Sequence, residues 1–82
     1  MRTATYKDII ELIINAQEAI VGPVAKEIAG KVTGIDNPNK QVLENLVKEY
    51  SGLFGQASIE TCKDAIKDIV NPSVDLPEIL KS

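Results

Sequence analysis

The apolar run from Ile9 to Ile14 constrains the fold more than any other stretch of the sequence. It lies inside a longer helical pattern that extends from Tyr6 to Val21. When this segment is wound at about 100° per residue, its apolar side chains cover roughly 220° of the circumference. An ordinary surface helix needs an apolar stripe of only about 100° or slightly more. We therefore predict that this helix is covered on several sides, either as the central helix of a bundle or partly by a second chain.

Gln17 is the one polar side chain within the apolar sector of this helix. Its amide must find hydrogen-bond partners, since leaving such a group buried and unsatisfied costs about 1–3 kcal/mol. The amide could reach a helix end or the rim of the core. Alternatively, it could set the register of a helix–helix interface, as a buried Asn does in coiled coils. The surrounding edge of the apolar arc is our candidate self-association surface, formed by Ile10, Ile14, Gln17 and Val21.

Helical patterns with short connections continue through the rest of the chain, and no strand pattern interrupts them. Thr5 and Asp8 predict a capped start for the first helix, and Gly22-Pro23 predicts a tight corner after it. The next predicted stops lie at Gly34 and at Asn71-Pro72. The predicted helices cover about residues 5–21, 24–33, 38–54 and 58–70, followed by a short C-terminal helical turn within Leu76–Leu80 that folds back on the bundle.

These patterns predict an all-α fold, in which the four helices form a compact bundle or an orthogonal array. The length of 82 residues fits a single domain that covers residues 1–82. Hydrophobic residues make up 44% of the chain and charged residues 26%, which argues against disorder. No internal repeat is evident in the sequence.

Composition narrows the classes of partner and compartment. The net charge is −3, which argues against a nucleic-acid partner, because neutralising phosphate supplies most of the affinity there. A single cysteine, Cys62, excludes an internal disulfide and fits a reducing compartment. Glu11, Asn15 and Glu18 interrupt the first helix, so it resembles neither a signal peptide nor a membrane span. We predict a cytoplasmic protein without a membrane partner.

No motif predicts catalysis, a cofactor or a metal. The segment Gly30-Lys31-Val32-Thr33 lacks the spacing, the hydroxyl residue and the preceding strand of a phosphate-binding loop. Cys62 lies on an apolar helix face without a histidine in the chain to activate it, which indicates an inert thiol. Glu60, Asp64 and Asp68 form one straight row that cannot wrap an ion. We therefore predict a protein that is not an enzyme and has no cofactor.

Our leading hypothesis is a small protein–protein interaction or regulatory module that self-associates through its first helix as a homodimer. One alternative is a helix-turn-helix DNA-binding domain, in which the helix after residue 38 would be the recognition helix. The other alternative is a monomeric helical domain with a different role. If the chain's own helices cover Ile10, Ile14 and Val21, the argument for a dimer along that edge loses its basis. The side chains of the DNA-binding alternative are Asn39, Lys40, Gln41, Asn45 and Lys48.

Overall fold

The computed structural model describes residues 5–67 and 75–80 of the chain. Within these ranges there are helices and no strands, so the predicted all-α class is confirmed. Each predicted helix has an observed counterpart, although the boundaries differ. The elements are α1 (Tyr6–Val21), α2 (Val24–Gly30), α3 (Lys40–Phe54), α4 (Gln56–Ile66) and a short 3₁₀ turn at Glu78–Leu80.

Helix α1 begins and ends as the sequence predicts. The Thr5 hydroxyl accepts a hydrogen bond from the Asp8 backbone N–H at 3.2 Å, and the Asp8 carboxylate accepts one from the Thr5 N–H at 3.1 Å. This reciprocal capping box satisfies two N–H groups that the first turn leaves unpaired. The helix ends at Gly22, whose φ of 82° and ψ of −162° lie in a region that only glycine adopts readily. The chain therefore turns sharply into α2.

Two predicted boundaries around the central connection need correction. Helix α2 ends at Gly30, before the predicted end at residue 33, and turns occupy most of the connection to α3. The cap of α3 is Asn39, whose side chain accepts a hydrogen bond from the Val42 N–H at 3.0 Å. The sequence pattern predicts this cap two residues earlier, at Asn37 with Pro38 at the first helical position. Both candidates are Asn residues, so composition alone did not separate them.

Helix α4 begins earlier than predicted, because Gly55 makes a second sharp corner. Its φ of 82° and ψ of −168° allow α4 to start directly at Gln56. From the sequence, Ser58 is a plausible cap for this helix. In the structure it is instead buried in the first turn, where its hydroxyl donates to the Gly55 carbonyl at 2.8 Å. The predicted end of this helix at residue 70 lies outside the described residues.

The core is aliphatic and draws on all four helices. Ile9 and Ile13 have no exposed surface, because α1 packs against α2, α3 and α4. Tyr50 lies fully buried among these side chains and donates its hydroxyl hydrogen to the Ala25 carbonyl at 2.7 Å. The part of the wide apolar arc of α1 around Ile9 and Ile13 is therefore covered within one chain, whereas Leu12 and Ile20 stay exposed. The buried hydrophobic residues are Ile9, Ile10, Ile13, Ala25, Ile28, Ala29, Val32, Val42, Leu43, Leu46, Val47, Tyr50, Cys62, Ile66 and Leu80.

The segment from residue 75 to residue 80 folds back on the bundle, as the sequence predicts. Pro77 and Leu80 are buried. The Tyr6 hydroxyl donates to the Asp75 carbonyl at 2.8 Å, and the Lys40 ammonium contacts the Asp75 carboxylate at 2.9 Å. This segment therefore lies beside the first turns of both α1 and α3, at the end of the bundle opposite the two glycine corners.

Candidate interaction surface

The structure buries two of the four residues of the predicted self-association surface and leaves the other two partly open. Ile10 is only 4% exposed and Gln17 only 1% exposed. Ile14 and Val21 are half-buried and pack against the core. A partner could not use Ile10 or Gln17 as a contact without opening the bundle. Ile10 therefore meets the condition under which the argument for a dimer along this edge loses its basis, whereas Ile14 and Val21 meet it only in part.

Helix α4 is the element that covers this edge, and Gln17 fixes its position. The Gln17 amide donates to the Ser58 carbonyl at 2.9 Å and lies 3.3 Å from the Cys62 sulfur. Among the described residues no buried side-chain nitrogen or oxygen lacks a hydrogen-bond partner. Gln17 therefore sets the register between α1 and α4 inside one chain, rather than between two chains.

The exposed large apolar side chains lie elsewhere, mainly at the glycine corners. Ile20 is 66% exposed and Leu53 is 61% exposed, and each stands two residues before a corner glycine. Val24 and Phe54 are also exposed and flank the same corners, whereas Leu12 is exposed in the middle of α1. The Phe54 ring stacks on the buried Tyr50, with 6.5 Å between ring centroids.

Two buried hydrogen bonds bring the corners to one end of the bundle. Gln17, near the end of α1, bonds to Ser58 at the start of α4. Tyr50, near the end of α3, bonds to Ala25 at the start of α2. The exposed apolar side chains at these corners therefore share one end of the molecule, which we call the corner end. It comprises Ile20, Val24, Leu53 and Phe54.

An apolar residue just before a corner glycine is a sequence signal for the corner end, separate from helical periodicity. A side chain in the last turn of a helix is covered only if a neighbouring helix extends past it. At a tight corner the chain turns away immediately, so an apolar residue just before the corner glycine stays open to solvent. Ile20 and Leu53 both satisfy this condition.

One ion pair lies beside the apolar residues of the corner end. The Lys26 ammonium on α2 lies 3.5 Å from the Glu18 carboxylate on α1, and both groups are substantially exposed. A surface pair of this kind contributes little to stability. Its effect is that the charges of Lys26 and Glu18, which lie next to Ile20 and Val24, compensate each other.

The geometry of Cys62 is the opposite of what a nucleophile needs. The side chain has no exposed surface, and burial raises the pKa of its thiol, although the hydrogen bond from Gln17 acts in the other direction. A reactive cysteine requires a lowered pKa and access to substrate. Within residues 5–67 and 75–80 no three potential metal ligands of the His, Cys, Asp and Glu types gather into a cluster. Asp68, the last residue of the predicted acidic row, lies outside these ranges.

The side chains of the DNA-binding alternative already have partners within the chain. Lys40 pairs with Asp75, and Lys48 lies 3.8 Å from Glu44. The Gln41 amide donates to Glu44 at 3.3 Å and to Asn45 at 3.0 Å. Nine residues separate α2 from α3, whereas the helix-turn-helix motif has a turn of about three or four residues. An open cleft of about 290 Å³ lies beside α3, and its lining includes both basic and acidic side chains. The lining residues are Lys31, Val32, Thr33, Asn45, Lys48 and Glu49.

Comparison with known proteins does not identify a relative. Neither a protein-family model, nor a curated protein, nor a solved structure matches this chain. No helix in the described part of the chain has the length and apolar character needed to cross a bilayer. Function must therefore be inferred from the chain's own geometry, in which the corner end is the main exposed apolar feature.

Proposed function

We propose that this chain is a small protein–protein interaction module, that the corner end is its contact surface, and that its partner is a second copy. The observation that carries this proposal is the exposure of Ile20 and Leu53 at one end of a bundle whose core is otherwise closed. Helix α1 still contributes to the contact, but through Ile20 instead of the edge around Ile10.

The apolar surface sets the expected strength of the contact. Burying Ile20 and Leu53 on both protomers would contribute about 4–8 kcal/mol, since about two thirds of each side chain is exposed and full burial is worth roughly 1.5–3 kcal/mol. Losing translational and rotational freedom costs about 4–15 kcal/mol. Val24 and Phe54 enlarge the apolar contribution. Because the gain and the cost nearly cancel, we expect a dimer that is at most weak and reversible, with a dissociation constant in the micromolar to millimolar range.

A second copy suits this surface better than a charged partner. The neutral Glu18–Lys26 pair gives a strongly acidic or basic molecule no electrostatic advantage on that side. A twofold dimer places the same patch on both sides of the contact, and apolar side chains pack against their own kind without unpaired polar groups. The corner end meets this condition through its four apolar residues.

Sedimentation equilibrium tests the proposal from about 10 μM to about 1 mM, the range that such affinities require. The average mass of the unsubstituted chain should rise from the 8.9 kDa monomer toward twice that value. Ile20→Glu and Leu53→Glu should each weaken the dimer and shift the average mass back toward that of the monomer, because a dimer would bury the new charge.

Leu12→Glu is the matched control. Leu12 is an exposed apolar residue on the same helix as Ile20, about 12 Å away along its axis. This variant should dimerise like the unsubstituted chain. A mass that stays at 8.9 kDa throughout, or equal loss of dimer in Leu12→Glu, would contradict the proposal. Titrating the same samples with duplex DNA at low salt tests the DNA-binding alternative, since nonspecific phosphate contacts are strongest there.

A further inference from the structure

The two glycine corners have the same geometry. Gly22 and Gly55 share a φ of 82°, with ψ values of −162° and −168°. The N–H of Gly22 donates to the carbonyl four residues earlier at 2.9 Å, and that of Gly55 does so at 2.8 Å. After each corner, the backbone N–H three residues later donates to the glycine carbonyl at 3.1 Å. The corners therefore agree in their dihedral angles and in the hydrogen bonds on both sides.

Two buried hydrogen bonds join the first pair of helices, α1 and α2, to the second pair, α3 and α4, and these two bonds are reciprocal. Gly55 follows Gly22 by 33 residues, and the same interval separates Tyr50 from Gln17 and Ser58 from Ala25. The Gln17 side chain donates to the Ser58 carbonyl, and the Tyr50 side chain donates to the Ala25 carbonyl. Exchanging the two halves converts one bond into the other. A pair of reciprocal contacts is what a twofold axis generates.

Burial follows the same 33-residue interval. Four pairs of equivalent positions in the two long helices are buried together, and Ile20 and Leu53 are exposed together, whereas Val47 is buried and its equivalent Ile14 is half-buried. In the shorter helices two pairs agree, whereas Ile28 is buried and its equivalent Thr61 is half-buried. The pairs that are buried in both halves are Ile9 and Val42, Ile10 and Leu43, Ile13 and Leu46, Gln17 and Tyr50, Ala25 and Ser58, and Ala29 and Cys62.

We propose that residues 6–32 and 39–65 are two copies of one helix–glycine corner–helix unit, packed about an approximate twofold axis. Only four equivalent pairs have the same residue. The remaining similarity is the helical spacing of apolar residues, which most helices share, so the repeat is not evident from the sequence. The absence of an evident repeat, noted from the sequence, is therefore a property of residue identity and not of the fold. The identical pairs are Lys7 and Lys40, Glu11 and Glu44, Gly22 and Gly55, and Glu27 and Glu60.

The duplication gives the corner end one pair of equivalent exposed residues. Ile20 is supplied by the first unit and Leu53 by the second, with nearly equal exposure. This part of the inference rests on the proposed function. If the second copy docks on both halves, the two side chains contribute equally to the contact.

The test makes the Gln17 site a copy of the Tyr50 site. Gln17 contacts the Cys62 sulfur, whereas the residue equivalent to Cys62 in the other half is the smaller Ala29. The substitution Gln17→Tyr alone adds atoms to a filled site, so it should lower the folding constant about tenfold or more. Adding Cys62→Ala should restore most of that loss and let the new hydroxyl reach the Ser58 carbonyl. Urea denaturation of the full chain measures each folding constant.

Two measurements distinguish a copied site from simple relief of crowding. The first measurement compares Gln17→Tyr with Gln17→Phe, both in the Cys62→Ala background. The ratio of their folding constants should equal, within about threefold, the ratio between the unsubstituted chain and Tyr50→Phe, because equivalent hydrogen bonds should contribute equally. Absorbance titration should also find one more tyrosine whose pKa is raised well above its ordinary value, as it is for Tyr50. A hydroxyl without effect, or an added tyrosine that ionises at its ordinary pKa, would overturn the proposal.

The converse exchange guards against a variant that fails to fold. Tyr50→Gln with Ala29→Cys makes the Tyr50 site a copy of the Gln17 site, and it should be more stable than Tyr50→Gln alone. If neither double variant folds, the duplication is refuted. In sedimentation, Ile20→Glu and Leu53→Glu should weaken dimers by the same factor within about threefold. If the unsubstituted chain does not dimerise, only the proposed function fails, because the folding constants are measured on monomers.

Discussion

Removing the Tyr50 hydroxyl is the sharpest test of the packing described above. Tyr50→Phe deletes one buried hydrogen bond, the 2.7 Å contact to the Ala25 carbonyl, and leaves every ring atom in place. The net value of such a bond is about 0.5–1.5 kcal/mol. For a domain of this size, 1 kcal/mol corresponds to roughly 4–8 °C in melting temperature. We therefore expect the free energy of unfolding to fall by about 1 kcal/mol.

Tyr6→Phe is the matched control, because it makes the same chemical change at an exposed hydrogen bond. The Tyr6 hydroxyl donates to the Asp75 carbonyl at 2.8 Å, where water can replace the lost partner. Its effect should stay within about 0.5 kcal/mol. Urea and thermal denaturation followed by circular dichroism measure both variants. If Tyr6→Phe lowered the free energy of unfolding as much as Tyr50→Phe, the conclusion that the buried hydrogen bond of Tyr50 stabilises the core would be refuted.

The same substitution predicts a pH dependence. Burial raises the pKa of Tyr50 from 10.0 to about 12, and the nearby Cys62 contributes in the same direction. The folded state therefore holds this proton more tightly than the unfolded state. The protonated Tyr50 hydroxyl makes its full contribution to the free energy of unfolding below pH 10. This contribution of about 2–3 kcal/mol is lost as the pH rises toward about 12. The advantage of the unsubstituted chain over Tyr50→Phe should vanish near about pH 11. Parallel stability curves above pH 10 would contradict this reasoning.

Two further predictions follow from the corners and the thiol. Gly22→Ala and Gly55→Ala should each lower the free energy of unfolding by about 1–3 kcal/mol, and by similar amounts, because both positions need a conformation restricted to glycine. Gly30→Ala and Gly52→Ala, where an added Cβ meets open space, should cause no loss in the same denaturation assay. Cys62 should react with an aromatic disulfide reagent at least about tenfold more slowly in the folded chain than in urea, and equal rates would show that its site is open.

Local signals in the sequence predicted the helices well. The Thr5–Asp8 box and the Gly22 corner each depend on residues within one turn of the chain, so no tertiary information was needed. The start of α4 was placed incorrectly because Ser58 is a common cap residue, whereas the actual turn depends on the unusual backbone of Gly55. A serine hydroxyl that bonds to a nearby carbonyl looks the same as a cap when only the sequence is known.

The candidate surface was harder to predict, for a physical reason. The width of the apolar arc on α1 shows how much surface must be covered, but not which element covers it. Helix α4 contacts Gln17, and that packing depends on a residue 41 positions away along the chain. The exposure of Ile20 and Leu53 likewise depends on where the neighbouring helices end. Such facts belong to the tertiary structure and have no signature in helical periodicity.

The contact between Asp75 and the first turns of α1 and α3 has a topological consequence. The Tyr6 hydroxyl lies 2.8 Å from the Asp75 carbonyl, although the two residues are 69 positions apart. A short covalent link between these neighbouring segments, with the chain opened in the turns after α2, gives a circular permutant that begins with α3. The two helical pairs exchange their order along this chain, and we expect the buried contacts within and between the four helices to be retained. We therefore expect the bundle to fold whichever of its helical pairs is synthesised first.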